Sequence, residues 1–257
     1  MDRAHATGTI PCMLRLMCVT AHPDDEAADF GGTLSLYHDR GVETCVVCLT
    51  PGQAGSFRAG AHDDNELAEL RRKEFASACE ILKVSRPIML DYPDGKLHRQ
   101  DLYRVTCDVT ARIRDFRPHV ILTSGPEGSV TGHTDHSMAS IFATLAFEWA
   151  GRSNRYPDQL TNGIQPHSAQ KLYYVTADVP LPGRQPIILP QITTVIDIGE
   201  HLKLKIAAFK AHISQEPLWP IFETNVRKRG AVEKFHLVAA ESRTPCALED
   251  DLFSGIS

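Results

Sequence analysis

No stretch of the 257 residues approaches the about 20 apolar positions that a membrane-spanning helix requires, and the first residues lack the apolar centre of a secretory signal. Both absences point to a cytoplasmic protein with no membrane partner. Lys and Arg form no block and the formal charge is −5, so no electrostatic footprint for nucleic acid is present. Partners should be small and roughly neutral. No Gly-x-Gly-x-x-Gly turn follows the first apolar run, which excludes the usual dinucleotide cradle. Internal repeats, low-complexity segments and composition shifts are also missing. One domain is therefore expected over 13–245, between a disordered lead-in at 1–12 and a frayed tail at 246–257. The seven cysteines are scattered and odd in number. Cys45 and Cys48 share one predicted strand, where an odd separation sends them to opposite faces, so all seven read as reduced thiols.

What is present is a regular alternation. Near-continuous apolar runs at 14–20, 42–50, 87–90 and 120–124 read as strands covered on both faces. Between them lie helical stripes: Phe30, Leu34 and Tyr37, closed by Gly41; Leu67, Arg71, Phe75, Ala78 and Leu82, begun at Asp63; and Leu102, Val105, Val109, Ile113 and Phe116, stopped before Pro118. A fourth stripe starts at His136. Weaker strands at 172–176, 194–198 and 235–240, with a helix through Leu202 and Ile206, form a smaller C-terminal extension. Segment 152–170 reads as a functional or disordered loop, and Trp219 and Phe222 as packing residues. The pattern predicts an α/β fold with a Rossmann-like, doubly wound, mostly parallel sheet and helices on both faces.

Two polar clusters interrupt this pattern, each where a strand passes into a helix and open α/β sheets place ligands. The first is His22-Pro23-Asp24-Asp25-Glu26. One imidazole and three carboxyl groups repel one another, and a divalent cation would hold them together. A turn favoured by Pro23 would aim His22 and Asp25 to one side and leave Asp24 free as a base; an ordinary Asx-turn and helix cap is the plainer reading. The second cluster is Gly132-His133-Thr134-Asp135-His136. A histidine on an apolar stripe is commonly a satisfied core residue, but two such coincidences are harder to accept than a shared metal site.

Together these motifs resemble the LmbE-like, or PIG-L-like, zinc-dependent N-acetylglucosaminyl deacetylases. Thr50-Pro51-Gly52, Arg71-Arg72-Lys73-Glu74, Tyr92-Pro93-Asp94-Gly95 and His212-Ile213-Ser214-Gln215 extend the resemblance over most of 14–215. It implies a metal held by His22, Asp25 and His136, with zinc expected and ferrous iron as the alternative. It also implies Asp24 as base, His133 as acid or oxyanion partner with Asp135 holding its ring cationic, and Arg71 and Asp94 binding sugar hydroxyls. The substrate would be an N-acetylated sugar conjugate, its other half chosen by loops after Gly151. Arg71 could instead pair with Glu74, and Asp94 could be a turn residue. Some relatives carry a tyrosine where this chain has Thr131, and Glu26 has no role beyond capping or support of its neighbours. A homo-oligomer is left open. Two other readings compete: a non-catalytic sugar- or metal-binding module, and a ferrous enzyme with two histidines and one carboxylate.

Overall fold

In the computed structural model, which describes residues 13–178, 187–241 and 248–256, all seven predicted strands form and join one sheet. β1 (Arg15–Thr20), β2 (Glu43–Cys48), β3 (Arg86–Met89), β4 (Val120–Thr123) and β5 (Lys171–Thr176) pair in parallel; β6 (Thr194–Asp197) and β7 (Val232–Ala240) complete the sheet antiparallel. The strand order is β3-β2-β1-β4-β5-β7-β6, so the chain reverses direction across the sheet between β1 and β4. That switch point lies beside both polar clusters, since His22 follows β1 and His133 follows β4.

Period-two alternation along the strands feeds two cores. Leu16, Cys18, Val46 and Cys48 face α1 (Asp25–Asp39), α2 (Asp64–Ile81) and α5 (Leu202–Ala211). Met17, Val19, Cys45 and Val47 face α3 (Leu102–Phe116) and α4 (Thr134–Ala150). Cys45 and Cys48 thus lie on opposite faces, and the five described cysteines are free thiols. The helix signals work as read. Asp63 caps α2 by accepting from the amides of Asn65 and Glu66, and Gly41 follows α1 at φ +80°.

Two expectations meet a different outcome. Segment 152–170 is ordered around buried Arg114, whose guanidinium donates to the carbonyls of Ala150, Arg152, Arg155 and Tyr156 and to the Gln159 side chain. Lone carbonyls carry no sequence signal, which is why the anchor is invisible in the chain. The described part of the tail is docked rather than frayed. Leu252 is fully buried, Tyr173 and Lys171 hold Glu249, and Tyr37 bonds Asp251. The lead-in 1–12 lies outside the described residues. A short helix, α6 (Trp219–Lys228), completes the C-terminal part, with Phe222 stacked on Phe209 at 3.8 Å between ring centres.

Candidate metal and catalytic centre

β1 ends at Thr20, and the next residues turn sharply into α1. Asp25 Oδ2 accepts the amides of Ala21 (3.1 Å) and His22 (2.9 Å), which locks the turn and leaves Oδ1 turned outward. That oxygen lies 3.1 Å from His136 Nε2, and His136 Nε2 lies 3.3 Å from His22 Nδ1. Residues 114 positions apart therefore converge with a carboxylate. Two donors bound at zinc-ligand distances on a tetrahedral ion sit roughly 3.3–3.5 Å apart, close to both pairs that run through His136, while His22 Nδ1 lies 3.8 Å from Asp25 Oδ2. His133 adds a third imidazole, its ring 4.8 Å from that of His22 and 5.2 Å from that of His136.

The hydrogen-bond network assigns the tautomers. His22 Nε2 faces Asp94 Oδ1 at 3.0 Å and Asp135 Oδ2 at 3.5 Å, which favour the proton there and leave Nδ1 as the lone pair once the ring is neutral. Thr131 donates its hydroxyl proton to the Gly128 carbonyl and accepts from His136 Nδ1 at 3.2 Å, which leaves His136 Nε2 as the other lone pair. The donor set is thus shaped for a cation. Burial alone would lower the His22 pKa, but Asp135, Asp94 and Asp25 outweigh it and raise it to about 10. Asp25 shows the converse: burial pushes its pKa up, and His136 and His22 hold it well below the usual range.

A model of the PIG-L family, described as GlcNAc-PI de-N-acetylase, matches residues 17–147, about half of the chain. The chain belongs to the PIG-L family. A Rhodococcus opacus 1D-myo-inositol 2-acetamido-2-deoxy-alpha-D-glucopyranoside deacetylase is 31% identical over 94% of this chain and 98% of its own. The solved N,N'-diacetylchitobiose deacetylase of Pyrococcus horikoshii is 25% identical, with a TM-score of 0.72 over 95% of this chain and 86% of that one. The 4-carboxy-2-hydroxymuconate hydratase of Pseudomonas putida shares the fold at 22% identity and a TM-score of 0.69, covering 91% and 99%. The PIG-L fold alone therefore does not fix the reaction.

In this PIG-L member several side chains have partners other than those expected. Arg71 is 3% exposed and does not pair with Glu74, which instead accepts from the Ser214 amide and hydroxyl. Its guanidinium donates to Asp24 Oδ2 at 2.8 Å and to the Pro23 carbonyl. Gly52 is needed beneath it, because at φ +69° an added Cβ would lie 2.4 Å from Arg71 Nη1. Asp94 occupies the expected turn, but its carboxylate accepts from the Ala54 amide and faces His22. Asp135 does not hold the His133 ring. It accepts from the amides of Gly95 and Leu97 and faces His22, while the Asp135 amide donates to His133 Nδ1. The His133 pKa is lowered, chiefly by burial and then by the neighbouring imidazoles, so the ring is not kept cationic.

Glu26 is the residue that sequence reasoning left without a role. Glu26 and His212, 186 positions apart, are both fully buried and bonded at 2.6 Å, Oε1 to Nε2. The other oxygen, Oε2, accepts the Asp24 amide at 2.9 Å. Asp24 sits at φ +109°, a backbone state that costs a non-glycine residue about 1–3 kcal/mol. Glu26 from below and Arg71 from the side hold it there. The His212-Ile213-Ser214-Gln215 motif was the available signal, but nothing local ties it to Glu26.

Proposed function

We propose that the protein is a cytoplasmic, zinc-dependent N-deacetylase that removes acetate from an N-acetylglucosamine-type conjugate. The convergence of His22 Nδ1, Asp25 Oδ1 and His136 Nε2, with Asp24 beside them, carries the reading. His22, Asp25 and His136 would hold zinc, ferrous iron being the alternative. When bound, such an ion polarises a carbonyl and lowers the pKa of water to about 7. Relatives named as deacetylases of acetylated amino sugars supply the substrate class, and the free thiols fit the compartment.

The residues then divide the work. Asp24, its pKa raised by burial and held down by Arg71, takes the proton of the attacking water. The neutral His133 ring, with Nδ1 occupied as an acceptor, carries its proton on Nε2 and donates it as a hydrogen bond to the developing oxyanion. Asp24 returns its proton to the amine as the C–N bond breaks, giving acetate and a free amine. Arg71 orients Asp24, and Asp94 and Asp135 orient His22, so these three act through other residues. No such arrangement of base and oxyanion donor is needed by a binding module.

The deciding experiment is acetate release by the zinc-loaded protein from a panel of N-acetylated sugar conjugates, abolished by chelation. Asp24→Asn should keep the metal and lose ~10²–10⁴-fold in kcat. No acetate from any member of the panel would refute the deacetylase reading.

A further inference from the structure

The cavity holding the His/Asp cluster has a volume of about 650 Å³, within the roughly 300–1,000 Å³ range of pockets for drug-sized ligands. Only one end is polar in the manner the chemistry requires. Beyond Asp29, one turn along α1 from Asp25, the wall is built by α5, α6 and the ends of β5 and β7. Phe209, Leu218, Ile221, Phe222 and Val226 line it. Ile221 is 60% exposed and lies beside the partly buried Phe222, so the two present apolar surface toward the cavity.

Several charges of this wall are committed to other protein groups, while Asp29, Asn225 and Arg229 also line it. Glu233 accepts from Lys205 and from the amides of Gly32 and Thr33, and Lys234 pairs with Asp178. A phosphorylated aglycone would find Arg229 but no cluster of free cations among the described residues. A polyol aglycone would meet Asp29, Asn225 and Arg229 but would lose hydration against Phe209, Leu218, Ile221, Phe222 and Val226. An apolar group loses nothing on entering and removes Ile221 and the Phe222 ring from water.

We propose that this half of the cavity is an aglycone subsite for an aryl or alkyl group, so that the substrate is an N-acetylated amino sugar joined to an apolar moiety rather than to inositol or a second sugar. The inference rests on the deacetylase reading and deepens it. Segment 152–170 takes no part in this wall; α5, α6 and the strand ends make the selection instead.

The test compares methyl, butyl and phenyl N-acetylglucosaminides with diacetylchitobiose and the inositol conjugate, using zinc-loaded enzyme and acetate release. The kcat/KM for the phenyl and butyl glycosides should exceed that for the methyl glycoside by ~10–100-fold, mostly through KM. Ile221→Asp should lower the ratio of phenyl to methyl glycoside kcat/KM toward one; Phe222→Ala is a second, deeper variant. Calorimetry with phenyl and methyl glucosaminides, which carry no acetyl group, reads the subsite without turnover. At least ~10-fold tighter binding of the phenyl compound supports it. Equal affinities, or chitobiose or inositol conjugates turned over as well as the phenyl glycoside, overturn it. Absence of acetate from every glycoside, with the calorimetric preference intact, would instead sink the deacetylase reading alone.

Discussion

The buried Glu26–His212 pair sets up a quantitative test, because one carboxylate supports both a distant histidine and the strained backbone of Asp24. In Glu26→Ala both contacts vanish. Hydrogen bonds to charged groups contribute roughly 1.5–3 kcal/mol each, and breaking a buried pair by removing one partner costs about 3–5 kcal/mol. Against a domain stability of about 5–15 kcal/mol, the variant should fold but melt markedly earlier. Without an acceptor for its amide, Asp24 can relax from φ +109°, and its carboxylate moves with it. A displacement near 1 Å of a catalytic group costs on the order of 10²-fold, so kcat should fall by that amount with KM nearly unchanged. Metal content should stay whole, since Asp25 is fixed by the Ala21 and His22 amides rather than by Glu26. Glu26→Gln gives the intermediate case. Its amide can keep the Asp24 contact only if His212 moves its proton to Nδ1, which has no partner, at about 1–3 kcal/mol. Steady-state kinetics, thermal melts and elemental analysis on the same preparations measure all three quantities. A Glu26→Ala protein that retains kcat within about threefold, against that 10²-fold expectation, would refute the idea that Glu26 positions the base.

Other consequences are as direct. Arg71→Met removes the charge that lowers the Asp24 pKa while burial keeps raising it; because the base must be ionised, the acid limb of kcat/KM should move to higher pH by about 1–3 units. An unshifted limb would detach Arg71 from the base. Thr131→Val takes away the acceptor that fixes the His136 tautomer, and zinc affinity measured by competition with a chelator should weaken ~10–100-fold. Neighbouring carboxylates raise the His22 pKa to about 10 and also raise that of His136, so zinc binding near neutral pH should release protons and weaken as pH falls. Calorimetry in buffers of different ionisation enthalpy counts those protons, and a count near zero would mean that these rings are not the ligands.

Comparing chain and fold, the legible features were local. Strands 42–50 and 120–124 could be read because a parallel strand covered on both faces must be apolar throughout. Helix starts and stops could be read because Asp63 and Gly41 satisfy backbone needs that exist within a few residues. The two motifs could be read because a turn fixes residues 22–26 and a helix N-terminus fixes 133–136. Partners across the fold were not legible. Asp94 and Asp135 both turn to His22, and Phe222 both stacks on Phe209 and lines the cavity. The tail docks because Tyr37, Lys171 and Tyr173 receive it, residues whose sequence neighbours say nothing of residues 249–252.

The order of amino acids by itself determined the alternating α/β architecture, the strand ends at which ligands gather, and the inventory of imidazoles and carboxylates placed there. Only tertiary structure decided which of them meet. Pairings such as His22 with His136, or Glu26 with His212, close loops of more than a hundred residues. No local periodicity encodes such contacts; they follow from how the strands order themselves around the switch in the sheet.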